Sequence, residues 1–165
     1  MTKQEQLDAL CMDMILYNAK DPKRVQHFMK VAEFAALIAR GEGVDGHTQF
    51  LLKAVGYVHD IGIRAAEEKY GYQNGVLQQE LGPDAARPLL LKNEFEDSDV
   101  ERICFLIAHH HTYTGIDGID YQILVEADFL VNLYEDHSEK KTIENVYERI
   151  FKTKTGKMLC QRMFM

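Results

Sequence analysis

Cysteine is scarce in this sequence, and basic residues are fewer than acidic ones. Only three cysteines occur in 165 residues, at wide spacings and without a CxxC pair. Such a set forms no disulfide framework and indicates a reducing compartment. Lysine and arginine number 19 against 26 acidic residues, which gives a formal net charge of -7. Because nucleic-acid and membrane-surface binding both need a basic face, we expect neither DNA, RNA nor a membrane as a partner.

Long apolar segments are missing as well. The longest, residues 31–39, includes Glu33 and is too short to span a bilayer. The first ten residues, MTKQEQLDAL, lack the charged-then-apolar pattern of a signal peptide. We therefore expect a soluble, cytoplasmic protein. The oligomeric state stays open.

Several catalytic motifs are absent. The sequence contains no HExxH, which excludes a zincin-type protease, and no Glu-x-x-His pair, which excludes a ferritin-like di-iron bundle. It also has no GxSxG elbow and no GxGxxG after a strand. The chemistry must therefore come from another arrangement of residues.

The hydrophobic pattern is helical throughout. Apolar residues make up 46% of the chain, and no stretch shows the alternation of a β-strand. The sequence predicts an all-α fold, a compact single-domain helical bundle over residues 1–165. Its core should span about residues 22–135, with flanking terminal helices at about 4–19 and 155–163.

Individual helices follow from their start signals and apolar stripes. Asp21-Pro22 is a typical N-cap and first turn, and the helix that follows should end at Gly41. His27 lies four residues before Val31 and so shares the buried stripe of this helix. Further helices are expected at about 47–59, 121–134 and 141–151.

The middle of the chain combines polar, glycine-containing and proline-containing segments. Residues 64–82 are polar and glycine-containing, which predicts a short helix and a mobile loop. A helix should begin near Pro83 and be kinked or restarted by Pro88. Ser98 has the spacing to Glu101 of a capping box, and that helix should end at three histidines, residues 109–111.

Four residues suggest a metal site. His27 lies on a buried stripe, His59-Asp60 ends a helix, and Asp128 lies within the apolar run ILVEADFLVNLY. Each alone is more often an ordinary core residue, because a buried carboxylate is usually satisfied by a partner. Together, two imidazoles and two carboxylates suit a divalent ion such as Mn, Fe, Zn or Co.

The run AVGYVHDIG, preceded by His27 and followed by AHHH and VEADFLVN, resembles the HD-domain superfamily of metal-dependent phosphohydrolases. The resemblance covers about residues 22–135 and implies an all-helical fold. It also implies that His27, His59, Asp60 and Asp128 hold one divalent ion, with Ni and Mg further candidates for its identity.

Some members of that superfamily bind a second metal through additional histidines. His110-His111 best matches this segment, although all three histidines could instead cap a helix C-terminus. No histidine lies between Asp60 and His109, and Gln78-Gln79-Glu80 stands where such members have one. We therefore expect one metal per chain.

The expected activity is hydrolysis of a phosphate ester of a small metabolite, a nucleotide being the first candidate. Asp60 would hold the attacking water, and Glu80, His110 or His111 would transfer protons. Arg64 and Lys69 are candidate phosphate contacts, as are the tail residues Lys152, Lys154 and Lys157. The tail KTKTGK lacks the spacing of a Walker motif and is more typical of a solvated helix connection.

Two alternatives remain open. The missing histidine, and Ile63 in place of the lysine that often follows the His-Asp-Ile-Gly run, are compatible with a non-catalytic ligand-sensing or regulatory module. A di-iron oxygenase would need a fuller set of histidines than this chain has.

Overall fold

The structure, a computed structural model, describes residues 1–165 and contains nine helices and no strand. No helix combines the length and apolar character that a membrane crossing requires. The predicted all-α class is confirmed. The helices are α1 (Lys3–Tyr17), α2 (Pro22–Gly41), α3 (Gly46–Val58), α4 (Gly62–Tyr70), α5 (Gly75–Lys92), α6 (Asp97–His109), α7 (Ile119–Glu135), α8 (Lys140–Arg149) and α9 (Lys154–Phe164).

The core lies where α2 packs against α3 and α7, with α6 covering α3 and α5 covering α6. Gly56 allows α3 to approach α2 closely, since a Cβ atom there would lie 2.5 Å from the Cα atom of Ala32. Leu52, Ile103 and Leu130 are fully buried. Each such side chain contributes roughly 1.5–3 kcal/mol relative to exposure, so their burial stabilises the packing of α3, α6 and α7.

The start of α2 agrees with its sequence signals. The Asp21 side chain accepts a hydrogen bond from the backbone N–H of Arg24, and Pro22 occupies the first turn. At the other end, Gly41 is the last helical residue, as predicted. This cap determines where the helix begins, and it places His27 in the second turn.

The segment 64–82 is more helical than predicted. Helix α4 ends at Tyr70 and is capped by Gly71, whose φ of 78° is the left-handed conformation that favours glycine, and α5 already begins at Gly75. The predicted loop is therefore reduced to residues 71–74. The polarity of the segment reflects exposed helix faces, because Arg64 and Glu68 are exposed whereas Ala66 is buried.

Helix α5 also corrects the expectation for the prolines. Both Pro83 and Pro88 lie inside this helix, which neither begins near the first nor restarts at the second. Pro88 and Asp84 are exposed. The Asp84 carbonyl, which loses its N–H partner, can therefore be hydrated.

The predicted capping box at Ser98 does not form. Helix α6 begins at Asp97, two residues before the start that Ser98 as N-cap would give, and its N-cap Glu96 makes no side-chain capping bond. Glu101, which the capping box would have used, pairs with Arg87 instead. The spacing was present, but a partner on α5 competes for the carboxylate.

In the tail KTKTGK, only Lys152 and Thr153 belong to a helix connection, because Lys154–Lys157 form the first turn of α9. The backbone amides of this tail are occupied. The buried carboxylate of Glu126 accepts hydrogen bonds from the N–H groups of Lys152 and Thr153, both at 3.0 Å. Glu42 accepts from the N–H groups of Lys154 and Thr155. Two carboxylates thus hold the positions that a phosphate would need.

Candidate metal centre

The fold brings together four residues that are far apart in the sequence. His27 lies on α2, His59 caps the C-terminus of α3, Asp60 follows it directly, and Asp128 lies midway along α7. One donor atom from each lies within 4.8 Å of the others. Three core helices therefore meet at one polar cluster.

The donor atoms are spaced as ligands of one ion. Nε2 of His27 lies 3.0 Å from Oδ2 of Asp60, and Nε2 of His59 lies 3.4 Å from the same oxygen. Each of these nitrogens is 3.3 Å from Oδ1 of Asp128. Bonds of about 2.0–2.2 Å to nitrogen and oxygen would set neighbouring ligands about 3.0–3.5 Å apart. The residues fit a divalent metal.

Asp128 adds an independent sign of a missing partner. Its Oδ1 atom is buried and has no hydrogen-bond partner. A buried carboxylate oxygen without a partner is costly, so native proteins nearly always satisfy it. A metal ion would satisfy it here.

The protonation of the cluster also suits a divalent ion. Burial alone would lower the pKa of His27, but its close contacts with the carboxylates of Asp128 and Asp60 outweigh burial and raise the pKa to about 10. The pKa of His59 is also raised, chiefly by the charge of Asp60, although burial alone would lower it. The same contacts hold the carboxyl pKa values of Asp60 and Asp128 below their usual range despite burial. Two imidazole protons thus balance two carboxylates, and one divalent ion could replace both protons without changing the net charge.

Ring orientation is imposed by the helix ends. Nδ1 of His59 lies 2.8 Å from the Gly56 carbonyl, and Nδ1 of His110 lies 2.7 Å from that of Ile107. Carbonyls in the last turn of a helix lack intrahelical partners and can accept these bonds. Each ring therefore donates from Nδ1 and directs Nε2 towards Asp60.

A second, smaller group shares Asp60. Donor atoms of Asp60, His110 and His111 also lie within 4.8 Å of one another. Nε2 of His111 is 2.7 Å from Oε1 of Gln78, to which it can donate. Burial and the neighbouring His110 lower the pKa of His111 to about 4, so this ring is neutral near pH 7.

The cluster lies at the base of an open pocket of about 350 Å³. Ile63 is the one hydrophobic side chain that lines it. Lys23 and Arg24 line it from the first turn of α2, and the amides of Gln73 and Asn132 line other sides. The pocket is therefore polar and carries cations on one side.

Four residues singled out in the sequence lie elsewhere. Glu80 is exposed and does not line the pocket. Arg64 pairs with Glu68 and donates to the Tyr17 carbonyl, and Lys69 lies over the Tyr70 ring. His109 stacks on Phe105 and bonds its backbone carbonyl. The structure does not bring these side chains to the cluster.

Other pocket residues were not singled out in the sequence, although spacing could have indicated them. Lys23 and Arg24 precede His27 by four and three residues, so they share its helix face. Asn132 follows Asp128 by four residues, which again places both on one face. The signal was helical periodicity applied around each candidate ligand.

Comparisons with known proteins agree with this geometry. A family model of the HD domain matches residues 24–153. The crystal structure of a predicted HD superfamily hydrolase from an uncultured Thermotogales bacterium is similar, with a TM-score of 0.63 and 25% sequence identity. The match covers 96% of this chain and 83% of that one. A search of curated proteins found no match.

These matches support a metal-dependent hydrolase in general terms, with a His/Asp cluster that could hold the divalent ion. The fold, the convergence of the four donors and the family match over most of the chain all agree. The chain belongs to the HD domain family.

Proposed function

We propose that this protein hydrolyses phosphate monoesters of small metabolites, with nucleotides as the first substrates to test. One observation carries the proposal. The unpartnered Oδ1 atom of Asp128 and the Nε2 atoms of His27 and His59 converge at the base of a pocket that also presents Lys23 and Arg24. A metal-ligand set and cations that can bind phosphate thus share one cavity.

The metal ligands in this proposal are His27, His59, Asp60 and Asp128. A bound divalent ion would supply Lewis acidity towards a phosphoryl oxygen and lower the pKa of water. Asp60 is the proposed holder of the attacking water, because it lines the pocket and belongs to the ligand set. His111 also lines the pocket, and because its Nε2 atom donates to Gln78, Nδ1 is the nitrogen that we propose accepts the proton of that water.

Lys23 and Arg24 are the proposed phosphate contacts. Lys23 is exposed at the pocket, whereas Arg24 is partly neutralised by Glu67, 3.1 Å away. Both belong to the first turn of α2, where the helix dipole also favours an anion. They replace Arg64 and Lys69 in this role, because those side chains lie outside the pocket.

The volume and lining of the pocket also limit the size and polarity of the substrate. A volume of about 350 Å³ accommodates a small molecule and excludes a polymer from the cavity. The amides of Gln73, Gln78 and Asn132 offer both donors and acceptors, which suits sugar hydroxyls or the polar edge of a base. A mononucleotide or a sugar phosphate satisfies both constraints.

The decisive experiment measures phosphate release and metal content together. The purified protein is stripped with chelator and reloaded with Mn, Co, Ni, Zn, Fe or Mg. It is then assayed on p-nitrophenyl phosphate, nucleoside mono-, di- and triphosphates, and sugar phosphates. We expect turnover with at least one metal. We also expect His59→Ala and Asp60→Ala to abolish metal binding and activity while circular dichroism stays helical.

A matched control is His137→Asn, which replaces an exposed histidine at a left-handed backbone position that asparagine also adopts. This variant should keep both metal and activity. Thermal stabilisation by nucleotides or sugar phosphates without product would favour the ligand-sensing alternative. Retention of metal and full activity in both alanine variants would refute the proposed site.

A further inference from the structure

His27 has a hydrogen-bond partner unlike those of the other two histidines at Asp60. Its Nδ1 atom lies 2.7 Å from Oε1 of Glu135. His59 and His110 instead use backbone carbonyls three residues earlier in their own helices. The ring of His27 is thus oriented by a carboxylate that comes from 108 residues further along the chain.

The difference follows from where each histidine lies in its helix. His59 and His110 are C-cap residues, where the preceding carbonyls are free to accept a ring N–H. His27 lies in the second turn of α2, which continues to Gly41. Its neighbouring carbonyls are used within the helix, so another helix must provide the acceptor.

Glu135 is well placed to provide it. It is the last residue of α7 and follows Asp128 by seven residues, about two helical turns, so both lie on the face of α7 that meets α2. Its side chain is 14% exposed, and Lys30 lies 3.9 Å from the same oxygen. Oε1 faces Nδ1, whereas the opposite ring nitrogen, Nε2, faces Asp60 and Asp128.

We infer that Glu135 is a positioning residue for the metal site, one that orients His27 through its Nδ1–H group. A carboxylate in this place fixes the ring so that Nε2 faces the cluster, and it makes that nitrogen a stronger donor to a metal. The inference rests on the proposed metal site but concerns a residue outside the ligand set. Loss of such a partner typically weakens metal affinity about 10–100-fold.

Metal affinity, rather than activity, is the primary measurement. The Zn²⁺ or Mn²⁺ dissociation constant is determined by competition with a chromophoric chelator for wild type, Glu135→Gln and Glu135→Leu. The glutamine oxygen can still accept the Nδ1–H bond but lacks the charge, so we expect an intermediate loss. The leucine variant removes both and should show the full loss of about 10–100-fold.

The matched control is Asp136→Asn, the adjacent residue. Asp136 also lines the pocket, and its replacement removes one negative charge without touching His27. We expect its dissociation constant to stay within about fivefold of wild type, as is typical of an exposed charge. A loss as large as that of Glu135→Leu would show that only pocket charge matters, and the inference would fail.

A second readout separates positioning from a merely structural contact. The Nδ1–H proton of His27, protected by the bond to Glu135, should give a slowly exchanging NMR signal in wild type and in Glu135→Gln. It should be lost in Glu135→Leu. If Glu135→Leu lowers the melting temperature but leaves the dissociation constant and this signal unchanged, Glu135 only clamps α7 to α2 and the inference is wrong.

Failure of the proposed function can be distinguished from failure of the inference about Glu135. If wild type binds no divalent ion, the metal site is refuted first. The NMR signal then still decides the role of Glu135: loss of the signal in Glu135→Leu supports orientation of His27 by this carboxylate. If the signal persists in Glu135→Leu, the inference that Glu135 orients His27 is wrong.

Discussion

Nε2 of His110 lies 3.3 Å from Oδ1 of Asp60, while the other oxygen of this carboxylate lies 3.0 Å from Nε2 of His27. The two carboxylate oxygens of Asp60 therefore belong to two different groups of potential metal ligands. The group with His27 has four donors, whereas the group with His110 has three, one of them engaged by Gln78. The two groups should differ in affinity for metal.

The first prediction is one tightly bound ion per chain. Metal analysis after gel filtration should give one equivalent, because Nε2 of His111 is held by Gln78. Gln78→Ala frees this nitrogen and should raise the uptake of a second ion at high metal concentration. Two tightly bound ions in wild type would contradict this.

Metal binding should release protons. In the metal-free protein the pKa of His27 is about 10, because its close contacts with the carboxylates of Asp128 and Asp60 outweigh burial, so the ring is charged near neutrality. A metal ligand must be neutral, and affinity should therefore rise with pH up to about 10. Titration calorimetry in buffers of different ionisation enthalpy measures the release. Heats that do not depend on the buffer would refute it.

The same shift predicts how the metal-free fold responds to pH. The folded pKa of His27 lies above its ordinary value of 6.5, so protonation of His27 stabilises the native state fully below pH 6.5. That contribution is lost as the pH rises towards about 10. Melting temperatures of chelator-treated protein should fall over this window. Metal-loaded protein, in which the proton has been replaced, should show a smaller decline.

Phosphate binding should depend on Lys23. Lys23→Ala removes an exposed cation from the pocket and should raise KM about tenfold, the effect of losing one charge-assisted hydrogen bond. Arg64→Ala tests the other candidate phosphate contact, which the sequence had suggested. Because Arg64 lies outside the pocket and pairs with Glu68, we expect little change in KM. A larger effect of Arg64→Ala than of Lys23→Ala would reverse the assignment.

Glu126 should matter for stability rather than for chemistry. It is fully buried and accepts bonds from two backbone N–H groups and from the Thr153 hydroxyl. Glu126→Leu leaves these donors without an acceptor and should lower the free energy of unfolding by about 3 kcal/mol or more. Denaturant unfolding measures this. The exposed Glu144→Gln is the control, and metal content should not change in either variant.

Local sequence signals were reliable where one element alone decides the outcome. The all-α class follows from helical periodicity, and the cap at Asp21 determines where α2 starts. Signals that another element can override were unreliable. Ser98 has the spacing of a capping box but Glu101 pairs with Arg87, and Pro88 is tolerated because its side of α5 is exposed.

The sequence by itself was enough to identify an all-helical chain with His27, His59, Asp60 and Asp128 as candidate metal ligands. Residue type, buried position on a helix face and resemblance to a family need no coordinates. Only the tertiary structure decided what surrounds those ligands: Arg64 and Lys69 lie outside the pocket, Gln78 contacts His111, and Glu135 contacts His27. Such contacts join α2, α5, α6 and α7, and their distances depend on how these helices pack, which no local pattern encodes.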